Sequence, residues 1–443
     1  MKDNFSSTTS REPAAEDWGR LYVSRACIGA GGCRNFAPEL LAEVAPAHGL
    51  RDDGGTNQGG GTPLLPDSHD TGAFTGVVRQ PRSKEDYLAA RTAAASCPFA
   101  AIRLEKPAAG LLPGELGAPW RDWPQRLENN VWIVGNPSMK NFGATAYFIE
   151  RPGGGVLVDL PKPSEELFRW LEAHGGVRWL FLTHRDHVQH HAEFAARFPE
   201  CRRVLGAADV NTRQSSHADA TEAVEIKLGN DLNPMTIDGT PISPEALADA
   251  ELAVLPQPGH TPGSLCLLYN GRFLFSGDHI RYSPRLGRIT AARLQCWEDW
   301  ERQCRSVSLL AGWADAGGLR FQWLLPGHGV WHRFEGDGSA AVTAEELRRA
   351  LEWMRRQPPG HVSMLQWIPF VVSRRNPRGL LGRIVLGIGG EGGEAWVLPR
   401  GARRYLVDYR PERTDAAMCR LYAIAAAALV TISLLVWLAT RVT

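Results

Sequence analysis

The sequence predicts a multidomain α/β protein, and three observations support that fold class. The chain has 443 residues, 44% of them hydrophobic, which is more than one ordinary core accommodates. Between about residues 130 and 357, short apolar strand-like runs alternate with helical segments. Two of these runs, 265–269 and 273–276, are joined by Asn270 and Gly271, a pair typical of a β-hairpin turn.

The same patterns predict the other elements in chain order. Further strands are expected at 145–149, 155–159, 179–182 and 252–255, and helices at 164–173 (with Ser164 as N-cap), 294–310 and 344–355. Around them we predict a disordered start at 1–19, a small unit at 20–105 with a glycine-rich insertion at 53–62, a linker at 106–129, and an unassigned segment at 358–419.

Charge and cysteine content limit the possible partners and compartments. Lysine plus arginine (49) nearly balances aspartate plus glutamate (48), so no overall field favours nucleic acid, and none is predicted as a partner. The eight cysteines are too sparse for a disulfide-stapled secreted scaffold, which favours a reducing compartment. The first residues lack the basic start and apolar run of a secretory signal.

Residues 421–440 are expected to form a transmembrane helix. The segment has no charged residue, and a helix of this length spans roughly 30 Å, the thickness of the hydrocarbon core of a bilayer. Tyr422 and Trp437 lie near its ends, where aromatic rings favour the interface. The arginine-rich stretch 403–420 outweighs Arg441, so the prediction is a single-pass C-terminal anchor with the body cytoplasmic.

Candidate metal ligands occur in three groups, each just beyond an apolar run. The first is the segment 183–191, Thr-His-Arg-Asp-His-Val-Gln-His-His, which follows the run 179–182. The second is His260, in the turn-rich segment 258–264, Pro-Gly-His-Thr-Pro-Gly-Ser. The third combines Asp278, after Phe-Ser-Gly at 275–277, with His328 in Pro-Gly-His-Gly at 326–329. Imidazole and carboxylate groups that converge at strand ends favour a zinc or iron site.

These motifs, in this order over about residues 130–357, resemble those of the metallo-β-lactamase superfamily. The resemblance implies an αββα sandwich with one or two metal ions at one edge. It implies His184, His260, Asp278 and His328 as ligands, with Asp278 bridging two ions. Asp159 matches the first motif, and a carboxylate there is expected to orient ligands through hydrogen bonds, as second-shell carboxylates do.

The histidine-rich segment departs from the superfamily pattern His-x-His-x-Asp-His. Strict register places Asp186, Val188 and Gln189 in the later positions, and Val188 and Gln189 are unsuited to ligation there. We therefore favour a two-residue insertion, which makes His190 and His191 the second-metal ligands and Asp186 a first-metal ligand. His187 competes with Asp186 for that first-metal role, and His190 in place of aspartate puts the second metal in question.

The amino-terminal cysteines resemble those of a single-cluster bacterial ferredoxin. Cys27 and Cys33 precede a distant Cys97 that is followed by Pro98, but Ala30 occupies the second ligand position. The resemblance implies a small α+β ferredoxin-like domain whose three thiolates hold a 3Fe-4S cluster, or a 4Fe-4S cluster with one non-protein ligand. A degenerate domain without a cluster is the alternative.

Three functions are consistent with these patterns. The first is a metal-dependent hydrolase, in which metal-bound water, held by Asp278 and the other ligands, attacks a small ester- or thioester-like substrate. The second is an iron-dependent redox enzyme that receives electrons from the ferredoxin-like domain or another electron-transfer partner. The third is a non-enzymatic metal or redox sensor, favoured if His190 abolishes the second metal. The substrate is not readable from the sequence.

Overall fold

The structure, a computed structural model, describes residues 18–23, 27, 29–44, 74–104, 123–211, 221–229 and 232–357. The glycine-rich insertion, most of the predicted linker, the segment 358–419 and the predicted span 421–440 lie outside these residues. Within the described ranges, no helix combines the length and apolar character that crossing a bilayer requires.

The described residues of the small amino-terminal unit form two strand pairs and one α-helix. Strands β1 (Leu21–Val23) and β4 (Ile102–Leu104) pair antiparallel, as do β2 (Leu41–Val44) and β3 (Phe74–Val77). Helix α1 (Lys84–Ala95) begins after Ser83, whose side chain accepts a hydrogen bond from the Asp86 amide. Leu21, Leu41 and Ala90 are buried in its core together with Cys27.

The described residues of the larger unit form two large sheets and one two-stranded sheet. The seven-stranded sheet has the order β11-β10-β9-β8-β7-β6-β5, and its strands are β5 (Gln125–Glu128), β6 (Val131–Ile133), β7 (Tyr147–Ile149), β8 (Gly155–Val158), β9 (Val177–Phe181), β10 (Arg202–Gly206) and β11 (Ile226–Leu228). Strands β5 to β8 pair antiparallel and β8 to β11 pair parallel.

The second sheet has five strands, in the order β12-β13-β14-β17-β18. These are β12 (Leu252–Pro256), β13 (Leu265–Tyr269), β14 (Phe273–Gly277), β17 (Trp323–Pro326) and β18 (His332–Arg333). Only β14 and β17 pair parallel within it. A hairpin of β15 (Arg281–Ser283) and β16 (Arg288–Thr290) lies beside it, and the other helices are α2 (Glu165–Ala173), α3 (His191–Arg197), α4 (Trp300–Asp315) and α5 (Ala340–Arg355).

The buried side chains form three apolar layers, which define an αββα sandwich. Val158, on one face of β8, packs with Phe275 of the second sheet in the central layer. Leu157, on the opposite face, packs with Leu167 and Phe194 of the helices α2 and α3. A third layer lies between the five-stranded sheet and α4 and α5. Strands covered on both faces need apolar residues on both, which explains the continuous apolar runs in the sequence.

The sequence predictions agree with most of this fold. The α/β class is confirmed, the hairpin strands at 265–269 and 273–277 lie where predicted, and Ser164 caps α2 by accepting from the Leu167 amide. Two boundaries need correction. Helix α4 spans Trp300–Asp315, whereas the sequence predicts a helix at 294–310. Strand β5 at Gln125–Glu128 is the edge strand of the large sheet, whereas the sequence predicts a linker over 106–129. Because an edge strand needs no apolar run, the polar residues of β5 give no strand signal in the sequence.

Candidate metal centre

The candidate ligands lie at the carboxyl ends of strands from both sheets. Asp159 follows β8, His184 follows β9, Asp278 follows β14, and His328 follows β17. His260 lies in the turn between β12 and β13. Because the parallel strands of each sheet end at one edge, side chains distant in sequence converge there.

A glycine permits a close approach between the two sheets. Gly277 has a φ of +50°, and a Cβ on it would lie 2.6 Å from the Thr183 hydroxyl oxygen. The absent side chain lets the turn that carries Asp278 rest directly on the segment that carries His184.

A first cluster consists of His184, His260 and Asp278, with Asp186 beside the two histidines. The His184 and His260 Nε2 atoms lie 3.6 and 3.7 Å from Asp278 Oδ2, and 3.7 and 3.8 Å from Asp186 Oδ2. Donor atoms of His184, His260 and Asp278 lie close enough together for one divalent ion with bonds of about 2.0–2.2 Å to reach all three.

A second cluster shares Asp278 and adds His187 and His328. His187 Nε2 lies 3.7 Å from Asp278 Oδ2, and His328 Nδ1 lies 2.8 Å from the same oxygen. Four ring nitrogens, from two clusters, thus surround one carboxylate oxygen. Asp278 is common to both clusters, in the location that a bridging ligand requires.

Asp159 fixes the orientation of both neighbouring histidines. Its carboxylate accepts a hydrogen bond from His187 Nδ1 at 2.7 Å and bonds from the Thr183 amide and hydroxyl at 2.9 Å. The Thr183 oxygen in turn lies 3.0 Å from His184 Nδ1. With the Nδ1 proton held in this way, the His187 Nε2 lone pair faces the cluster.

Asp209 plays a corresponding role for the loops of the first cluster, and sequence reasoning missed it. It follows β10 and accepts from the Arg185 amide (2.9 Å), the Thr261 hydroxyl (2.7 Å) and the Gly263 amide (2.9 Å). It therefore ties the loop after His184 to the turn that carries His260. No motif marks it, although its place after a strand at the same sheet edge is a usable signal.

The buried histidines of the two clusters differ in the direction of their pKa shifts. Burial lowers the pKa of His260 to about 4 and that of His184 well below its ordinary value, so both rings are neutral at neutral pH. Burial also disfavours the charged form of His187, but the Asp159 and Asp278 carboxylates outweigh it and raise its pKa to about 9. Burial raises the pKa of Asp186 to about 6.

The register predicted for the histidine-rich segment needs correction. His190 and His191 belong to neither cluster. His190 has a φ of +79°, and its ring pairs with Ser138 Oγ (3.0 Å) and Glu193 Oε1 (2.9 Å) instead. Its neighbour His191 is buried with its Nδ1 3.0 Å from Arg203 Nη1.

A one-turn 3-10 helix at Arg185–His187 explains the difference. It directs Asp186 toward the first cluster and the adjacent His187 toward the second, so His187 does not compete for the first position. With His187 in the second cluster, the replacement of aspartate by His190 no longer argues against a second metal.

The three amino-terminal cysteines line one cavity between the small unit and the larger unit, whose Gly143 and Thr145 also border it. Cys27, Cys33 and Cys97 border it together with Ala30 and the glycines at 31 and 32. Burial, with Cys27 nearby, raises the pKa of Cys33 to about 12. The Ala101 amide donates to Cys97 Sγ at 3.4 Å, and Cys33 Sγ lies 3.4 Å from the Thr75 hydroxyl.

Comparisons with known proteins give matches only among solved structures. No protein family model matches the chain, and no curated protein does either. In all, 258 solved chains match it. They include the DIM-1 metallo-β-lactamase exposed to ceftazidime, at 18% identity and a TM-score of 0.37, with 52% of this chain and 95% of that chain covered.

Two further matches are similar in extent. A metallo-β-lactamase from Pontibacter korlensis has 16% identity and a TM-score of 0.37, with 53% of this chain and 98% of that chain covered. The mono-zinc form of the metallo-β-lactamase FIM-1 from Pseudomonas aeruginosa has 20% identity and a TM-score of 0.34, with 51% and 94% covered. The site itself is therefore the basis for assigning a function.

Proposed function

We propose that the chain is a metal-dependent hydrolase of the metallo-β-lactamase superfamily, acting on a small ester- or thioester-like substrate. One observation carries the proposal. The Nε2 atoms of His184, His187 and His260 are buried without a hydrogen-bond partner, and all lie 3.6–3.7 Å from Asp278 Oδ2. A buried polar atom without a partner costs about 1–3 kcal/mol, and bound divalent cations would satisfy all three.

The donor set fits one or two ions of zinc or iron. His184, Asp186 and His260 would hold the first, His187 and His328 the second, and Asp278 would be shared. When bound, such an ion lowers the pKa of a coordinated water and acts as a Lewis acid. Imidazole and carboxylate ligands suit both metals, so the residues alone do not choose between them.

The chain's own residues determine how a substrate would reach the centre. His184, His187 and His260 are at most 1% exposed, whereas the side chains of Asp278 and His328 are 14% and 17% exposed. A substrate would therefore approach from the Asp278 and His328 side. The buried histidines exclude bulk water from the opposite side, which strengthens electrostatic interactions inside the site.

An iron–sulfur cluster held by Cys27, Cys33 and Cys97 is the second cofactor of the proposal. Three thiols around one cavity, with an amide donating to one sulfur, support a 3Fe-4S cluster or a 4Fe-4S cluster with one non-protein ligand. Ala30 lines the same cavity without offering a thiolate. Anaerobically prepared protein should be brown and contain acid-labile sulfide. Colourless protein after anaerobic reconstitution would refute the cluster.

A specific contact favours iron-dependent redox chemistry as the second candidate function. The Gly329 amide, next to His328, donates to the Ala30 carbonyl at 2.8 Å, so the cysteine cavity adjoins a loop of the metal centre. A cluster in that cavity would lie beside the loop that carries His328, as electron supply to a bound iron ion requires.

One set of variants separates the two functions. With zinc in excess, the triple variant of Cys27, Cys33 and Cys97 to serine should keep hydrolysis of an activated ester or thioester, whereas Asp278→Asn should lose about a hundredfold or more. Glu193→Gln, which alters a carboxylate outside both clusters, is the matched control. Absence of hydrolysis in the wild type, with reductant-dependent oxygen consumption that the triple variant loses, would favour the redox function.

A further inference from the structure

The loop that carries His328 is in direct backbone contact with the first cysteine segment. Besides the hydrogen bond from Gly329 to Ala30, Gly31 packs against Gly329. Gly31 has a φ of +82°, and a Cβ on it would lie 2.9 Å from the Gly329 Cα. A side chain at Gly31 would require Arg34 and Gly329 to shift.

A second contact reaches His328 from the other cysteine segment. His328 Nε2 donates to the Phe142 carbonyl at 3.0 Å. The next residue, Gly143, would place a Cβ 3.1 Å from Pro98, which directly follows Cys97. Two backbone groups therefore link His328 to the segments that carry cysteines. They are the Gly329 amide and the Phe142 carbonyl.

The other ligands are supported differently. Thr183 and Asp159 orient His184 and His187 from within the larger unit. Asp209 fixes the turn of His260, also from within that unit. His328 has supports of both kinds: Gly327 bonds Gly277 and Thr145 within the larger unit, and the Gly329 amide bonds Ala30 of the small unit.

We propose that the cysteine cavity and the second metal position are thermodynamically linked through His328. A cluster bound by the three cysteines fixes both cysteine segments, and these in turn fix the loop of His328 before the metal arrives. The second position then binds its metal more tightly, while the first is unaffected. The linkage rests on the proposed metal centre and cluster, and linkage requires that metal at the second position stabilise the cluster by the same factor.

The test compares stepwise zinc affinities, measured by chelator competition under anaerobic conditions, in protein with and without the cluster. The triple Cys→Ser variant should bind its second zinc about tenfold more weakly than the cluster-loaded wild type, with the first affinity unchanged. Cys304→Ser, at a thiol outside the cavity, should behave as wild type. In the reverse direction, zinc at the second position should raise, by the same factor, the iron-chelator concentration that removes half of the cluster's visible absorbance at equilibrium.

Equal second affinities with and without a formed cluster would overturn the linkage alone, as would a zinc affinity shift without reciprocal protection of the cluster. A wild type that takes up no iron and sulfide would overturn the linkage together with the proposed cluster.

Discussion

Replacing Asp159 by asparagine should selectively weaken the second metal position. Asp159 accepts from the Thr183 amide and hydroxyl on one oxygen and from His187 Nδ1 and the same hydroxyl on the other. A carboxamide has one oxygen, and the Thr183 amide requires an acceptor. The nitrogen of the introduced carboxamide would then face His187 Nδ1, which favours the tautomer with its proton on Nε2, toward the cluster.

The magnitude follows from the contact. The carboxylate–imidazole pair is short, at 2.7 Å, and both groups are at most 2% exposed, so solvent screens it little. Loss of such supporting groups typically costs 10–100-fold in metal affinity, or about 1.4–2.7 kcal/mol. Because Asp159 reaches His184 only through Thr183, the first position should weaken less.

The assay is a stepwise zinc titration by chelator competition, with thermal melting of the metal-free proteins as a check on folding. Glu193→Gln is a closely matched control, because Glu193 also pairs with a histidine Nδ1, that of His190, at 2.9 Å. It should leave both affinities unchanged. Equal losses in the two variants, or an unaltered second affinity in Asp159→Asn, would refute the role assigned to His187.

Three further predictions concern stoichiometry, pH and location. His187→Ala should lose about one metal equivalent and His190→Ala none; the reverse outcome, measured by elemental analysis, would restore the insertion register. Affinity at the second position should rise about tenfold per pH unit up to about pH 9, because metal must displace the proton of His187, whose pKa is raised to about 9. Metal affinity at the first position should stop rising above about pH 6, because Asp186 has a pKa of about 6 and His260 has a pKa of about 4. Calorimetric titrations in which both affinities change with pH in parallel would contradict this. Deleting residues 421–443 should release the protein from membranes in fractionation, and continued sedimentation would require another attachment.

The sequence was sufficient to predict which side chains converge where a candidate ligand directly follows an apolar strand or lies in a turn of fixed type. His184, His260, Asp278 and His328 all meet that condition, and strand ends converge regardless of details inside each loop. The sandwich layers were similarly predictable, because runs that are apolar on both faces must be covered on both.

The sequence was insufficient where a local turn decides which way a side chain points. The 3-10 turn at Arg185–His187 directs neighbouring residues to different clusters, and the positive φ of His190 turns its ring away to Ser138. Spacing alone does not specify either conformation. Asp209 was missed for another reason, since its function depends on three donors that only the fold assembles.

The most direct measurement for the metal centre is the zinc and iron content of the purified protein and of the His260→Ala, His328→Ala double variant. The wild type should contain about one to two equivalents of one of these metals in addition to any cluster iron, which acid-labile sulfide quantifies separately. The double variant, which removes one ligand from each cluster, should lose most of that metal while keeping its fold by circular dichroism. Unchanged metal content in a folded double variant would contradict the assignment of the centre to these residues.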